Sequence, residues 1–158
     1  MKRVLALSII LAAVAVACSK SKFETVPTVE IKSLSPDVVG VPPANQPNAI
    51  SVLTLKARVT DKEGDLQDSL LVVPKYFLTD GTLLSSDTIV YKLDLLSFPD
   101  TKDIEIQVQF TYGRLAEGYE LINTVSEDQN LSIGMIVIDK AGHRSNYSES
   151  GKVRLIKP

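Results

Sequence analysis

DIEIQVQF, residues 103–110, alternates without a break: Ile104, Ile106, Val108 and Phe110 fall on one side of an extended chain, and Asp103, Glu105, Gln107 and Gln109 on the other. Successive side chains of a strand point to opposite faces, so this stretch reads as a strand with one face in a core and one in water. The same period runs through LTLKARVT, 53–60, where Leu53, Leu55, Ala57 and Val59 alternate with polar neighbours. In DTIVYKLDL, 87–95, Ile89, Tyr91, Leu93 and Leu95 share a face. SIGMIVID, 132–139, is apolar on both faces from Met135 to Ile138, as a central strand would be. Further strands are expected at 28–34, at 69–79 with Pro74 as a bulge or edge position, and at 152–157. No segment keeps a 3.6-residue period with caps. The pattern predicts an all-β fold, an immunoglobulin-like two-sheet antiparallel sandwich of about seven strands, with a small closed barrel as the alternative.

The first residues read differently. Lys2 and Arg3 precede an apolar run from Val4 to Val16, the layout of a secretory signal and too short for a spanning helix, which needs about 20 residues. The only cysteine, Cys18, follows Ala15-Val16-Ala17. This resembles the lipobox of bacterial lipoproteins, which implies that Cys18 becomes the lipidated first residue of the mature chain. An unpaired thiol in an oxidising compartment is otherwise awkward, and acylation removes it. Each buried CH₂ of an acyl chain contributes about 0.8 kcal/mol, so two or more chains hold a protein on a membrane. The expected organisation is a signal peptide at 1–17, a lipid-anchored tether at 18–27 and one sandwich domain at 28–158. SPDVVGVPPANQPN, 35–48, holds four of the eight prolines and reads as an extended connection. Losing Lys2 and Arg3 lowers the basic count from 17 to 15 against 19 acidic side chains. That balance excludes a polybasic nucleic-acid footprint.

TDKEGDLQD, 60–68, lies between two of the expected strands, and VIDKAGHRSN, 137–146, lies near the C-terminus. Together they resemble the Ig-like lipoproteins of Bacteroidota cell envelopes. In those, one strand runs into a D-x-x-G-D turn, here Asp61, Gly64 and Asp65. The penultimate strand ends in a D-x-A-G-x-x-S turn, here Asp139, Ala141, Gly142 and Ser145. The resemblance implies a sandwich on an envelope lipoprotein, most plausibly at the outer membrane, and carries over no catalytic residues. In an Ig-like strand order the B–C and F–G loops share one end of the sandwich. Asp61, Glu63, Asp65 and Asp139, with Asp68 beside them, could then converge into the oxygen-rich set that Ca²⁺ prefers. An EF-hand is excluded, because counting from Asp61 its sixth and twelfth positions hold Leu66 and Val72. The competing reading is a plain turn, in which Asp bonds its own backbone and Gly accepts positive φ.

Other chemistry is sparse. His143 is the only histidine, and a Ser–His–Asp reading with Ser145 and Asp139 lacks a nucleophile elbow. With one His and an acylated Cys, zinc has no ligand set. Without a Trp platform, paired carboxylates for glycoside hydrolysis carry little weight. TYGRLAEGYELI, 111–122, offers Tyr112, Arg114 and Tyr119, the residue types enriched at interface hot spots. Asp68-Ser69-Leu70 and Asp87-Thr88-Ile89 match the D-[ST]-apolar pattern of O-glycosylation in Bacteroidota envelopes, at Ser69 and Thr88. The function expected is a non-catalytic binding or assembly module whose partners are the membrane, through its lipid, and other envelope proteins or glycans. A structural spacer or accessory subunit is the alternative, and an envelope hydrolase the less favoured one.

Overall fold

The computed structural model describes residues 25–46, 49–66, 68–93 and 102–158. The signal, Cys18 and most of the tether lie outside the described residues. Eleven strands form two sheets: β1 (Thr28–Ser35), β2 (Val38–Val39), β3 (Val52–Thr60), β4 (Ser69–Leu78), β5 (Leu83–Ser86), β6 (Ile89–Lys92), β7 (Asp103–Tyr112), β8 (Glu120–Ile122), β9 (Gln129–Ile138), β10 (Ser148–Glu149) and β11 (Val153–Leu155). One sheet runs β1-β3-β7-β8, the other β2-β11-β9-β4-β5, with β6 on β4 and β10 on β9. Neither sheet closes on itself, which excludes the barrel.

The order is immunoglobulin-like. Strands A, B and E correspond to β1, β3 and β7, and C and F to β4 and β9. The G position is shared by β10 and β11, which pair successive parts of β9. The expectation of purely antiparallel sheets needs correction, since β2 pairs β11 in parallel and β8 pairs β7 in parallel. β2 comes from chain that crosses from β1 in one sheet to the edge of the other, whereas the chain after β7 loops back and lays β8 beside β7 in the same sheet; neither connection is a hairpin that would fix an antiparallel direction. The proline-rich connection supplies β2 as a two-residue edge strand, consistent with its missing donors.

The alternation seen in the sequence is the packing. Leu53, Leu55, Ala57 and Val59 of β3, with Phe110 of β7, face Val72 of β4 and Leu131, Ile133, Met135 and Val137 of β9, all buried. Pro74 is neither bulge nor edge. It sits inside β4 opposite Ile133, where the outer partner of β4 changes from β6 to β5. The Asp87 N–H reaches the Pro74 carbonyl across that gap, so the N–H that proline lacks is not required there. On the outer face, Gly134 leaves room for the Tyr147 ring, which a Cβ would strike. The ring carries Lys75 Nζ 4.7 Å from its centroid, and its hydroxyl donates to Glu149 Oε2 at 2.9 Å.

Tyr112 belongs to this core rather than to a loop. The expected long connection at 111–122 shrinks, because Thr111 and Tyr112 continue β7 and residues 120–122 form β8. The Tyr112 hydroxyl donates to the Ile156 carbonyl at 2.9 Å and accepts the Val125 N–H at 3.2 Å. A buried phenol with both partners met ties the last strand to the chain after β8. Tyr112→Phe keeps the ring and strands both backbone groups, so urea unfolding should show a loss of about 1–3 kcal/mol. An unchanged midpoint would mean that those groups find other partners.

Candidate functional site

The register decides what meets at the loop end of the sandwich. Thr60 pairs Asp103 at the end of β3, and Ser69 pairs Ile138 where β4 starts and β9 stops. The 61–68 connection therefore crosses from one sheet to the other and ends beside the turn that opens at Asp139. The Lys140 N–H donates to the Asp65 carbonyl at 3.0 Å, binding the two loops to each other.

Within the first loop, Asp61 Oδ2 accepts the Gly64 N–H at 2.6 Å and the Asp65 N–H at 3.3 Å. Gly64, at φ 79°, supplies the left-handed residue that folds the loop back onto the aspartate. In the second loop, Asp139 Oδ1 accepts the His143 N–H at 2.7 Å, and Oδ2 lies 2.9 Å from His143 Nδ1. Both turns are thus organised by their first aspartate, as the turn reading expects.

The carboxylates also converge. Asp61, Asp65 and Asp139 each place one oxygen within 4.8 Å of the others'. Asp61 and Asp139 are fully buried at 0% and 1% exposure, and Asp65 is half-buried. Asp61 Oδ1 and Asp65 Oδ1 are buried and no donor group reaches them. Glu63, expected in the same set, is exposed and stands outside it. The reversal at Gly64 breaks the every-second-residue rule that an extended loop would have followed. Asp68 instead faces Lys92, 3.8 Å away. Burial, then the Asp61 carboxyl that can share its proton, then the Asp139 charge push the Asp65 carboxyl upward.

The remaining candidates separate. Arg114 is exposed and Tyr119 half-buried, while Tyr112 is in the core, so the three form no single patch. Tyr119 instead lines a cleft of about 610 Å³ together with Leu70, Tyr91, Leu93, Ile106, Val108 and Glu120. Among the described residues, Ile104–Gln109 of β7 pairs only β3, and the cleft runs along that strand edge. The alternation in 87–95 had placed Tyr91 on an inward face, yet gave no sign of a cleft there. Burial, and then the Glu120 carboxylate, push the Tyr91 phenol upward. Ser69 is buried, its hydroxyl donating to Asp68 Oδ2 and accepting from Lys92 Nζ. Of the two candidate glycosylation positions, Ser69 is thus buried, whereas Thr88 is exposed between β5 and β6. The Ser145 hydroxyl accepts the Val137 N–H and donates to the Asn146 carbonyl, so it makes no nucleophile for His143.

No protein-family model matches the sequence, and no curated protein matches it. Among solved structures, the chain is similar to the CARDB domain of a Pyrococcus furiosus protein in complex with di-metal ions. The identity is 17%, the match covers 87% of this chain and 95% of that one, and the TM-score is 0.31. It is also similar to Spo0M, a sporulation control protein from Bacillus subtilis, at 8% identity and TM-score 0.37, covering 84% of this chain and 50% of that one. BcpA, the major pilin subunit of Bacillus cereus, matches at 12% identity and TM-score 0.35, over 83% of this chain and 40% of that one. At these TM-scores the likenesses carry no functional weight, and the fold assignment stands on the strand order itself.

The raised Asp65 carboxyl has a definite consequence for stability. Its proton is held more tightly folded than unfolded, so stability falls as pH rises from just above the ordinary aspartate value through the raised folded one. Glu30, Asp80, Asp128 and Glu149 are shifted downward and act in the opposite sense below about pH 4.5. In the presence of a chelator, the melting midpoint should therefore rise as pH is lowered from neutral towards the ordinary aspartate range. Asp65→Asn should flatten that rise and melt no lower than the parent at pH 7. A parent and variant with parallel pH profiles would contradict the assignment.

Proposed function

We propose that the protein is a lipid-anchored, non-catalytic binding or assembly module of the cell envelope, held on a membrane through Cys18 and engaging another envelope protein or glycan. The cleft beside Tyr119 is the observation that carries this reading. It is lined by apolar Leu70, Leu93, Ile106 and Val108 together with Tyr91, Tyr119 and Glu120. Concave sites with few placed polar groups are where ligands and extended segments bind. Among the described residues, the outer edge of Ile104–Gln109 in β7 pairs no other strand, and it offers backbone donors and acceptors to an added strand. The spacer reading draws support from Tyr112, which is spent on the core and contributes nothing to a surface.

Two measurements on intact cells separate these readings. Labelled palmitate should enter the parent chain and be absent from Cys18→Ser, which should also leave the membrane fraction. A photo-crosslinking residue at position 119 should give a defined adduct that the same residue at exposed Glu63 does not. Anchoring without an adduct at 119 would leave the spacer. A Cys18→Ser chain that remains lipidated and membrane-bound would remove the anchor.

A further inference from the structure

We infer that Asp61, Asp65 and Asp139 form a binding site for one Ca²⁺ ion, which joins the 61–68 loop to the 139–143 turn. The inference rests on two independent observations. The first is convergence: three carboxylates from two loops bring oxygens to within 4.8 Å of one another. Oxygens on opposite sides of a Ca²⁺ ion, each 2.3–2.6 Å from it, are separated by about 4.6–5.2 Å, so one ion spans this set. Mg²⁺ demands near-ideal octahedral geometry and gives up its waters reluctantly, whereas Ca²⁺ accepts the irregular set of oxygens that two loops supply.

The second observation is an unmet need. Asp61 is wholly buried, and its Oδ1 is reached by no donor although Oδ2 is held by the loop's own N–H groups. A buried carboxylate oxygen without a partner is costly. A turn-forming role accounts for Oδ2 and leaves Oδ1 to a cation or to a proton shared with Asp65. Among the described residues, the only ion pair made with a cluster carboxylate is His143 with Asp139. His143 takes Asp139 Oδ2, and among the described residues no Lys, Arg or His forms an ion pair with Asp61 or Asp65. A hard cation meets both requirements, since it accepts lone pairs from several oxygens and brings two charges to a pole that holds three carboxylates. Asp65 is half-buried, which leaves a side for water ligands and for entry. The loops are already joined by the Lys140 N–H to Asp65 carbonyl bond, so binding does not have to assemble the site from separate pieces.

The test uses the full chain in detergent, melted with excess EDTA and then at increasing Ca²⁺. An ion that binds only the folded state raises the midpoint as its concentration passes the dissociation constant. We expect saturable binding in the range of extracellular modules, about 10⁻⁴ to 10⁻³ M. Mg²⁺ at equal concentration should raise the midpoint less. Asp61→Asn and Asp139→Asn should each weaken binding at least tenfold, whereas Glu63→Gln and Asp68→Asn should keep it. If Asp61→Asn fails to fold, Asp65→Asn at the half-exposed position decides the matter. No rise at millimolar Ca²⁺ would overturn the site, as would a rise that the cluster variants retain. A midpoint that responds to acid in EDTA but never to Ca²⁺ would assign the unmet oxygens to a proton shared by Asp61 and Asp65.

Discussion

Two sheets whose long strands gather their apolar side chains chiefly on one face can hide those faces nowhere but against each other, and the placement of the loops follows from that pairing. In β3 and β7 the alternation holds from Val52 to Thr60 and from Asp103 to Thr111, with each residue opposite a fixed partner. In β4 and β9 the register is unbroken from Ser69–Ile138 to Leu78–Gln129. A slip of one residue would turn Leu53, Leu55 and Val59 outward and Lys56 and Arg58 inward, so burial itself fixes the register. The register in turn fixes where each strand stops. Thr60 and Ile138 end at the same pole on different sheets, and the aspartates that follow them are brought together by the core.

That pole works against the energetics that made it. Carboxylates removed from water disfavour their charged forms, and three of them close together repel. The fold meets part of this cost with the Gly64 and Asp65 N–H groups on Asp61 and with His143 on Asp139. A turn built only for its own backbone could have stayed in water, as Asp80 does when it accepts the Thr82 N–H in the exposed β4–β5 turn. The contrast between Asp80 and Asp61 separates a turn residue from a residue drawn inside.

The sandwich was legible because its strands are long and alternate, and a period of two needs little context. The meeting of Asp61, Asp65 and Asp139 was legible for the same reason, since an Ig-like order puts those loops at one end. Shorter features were not. Strands β2, β5 and β8 hold four residues or fewer, and such runs have no period to detect. Glu63 was misplaced because a loop that reverses at Gly64 does not alternate. Tyr112 reads as an interface residue by type, but it is the last residue of the strand that carries Phe110, and its hydroxyl closes on Ile156 and Val125. Ser69 matched a three-residue motif that says nothing about burial. In each case the side chain's identity was plain and its surroundings were set by chain distant in sequence.

The central claim is that this core delivers three aspartates to one point as a cation site, and crystallography on Ca²⁺-soaked crystals examines it most directly. The account predicts one density peak about 2.3–2.6 Å from oxygens of Asp61, Asp65 and Asp139, with waters completing six to eight ligands. The 61–68 loop should be held as described, with the Lys140 N–H still on the Asp65 carbonyl. An empty pole at millimolar Ca²⁺, with Asp61 and Asp65 close enough to share a proton, would contradict it.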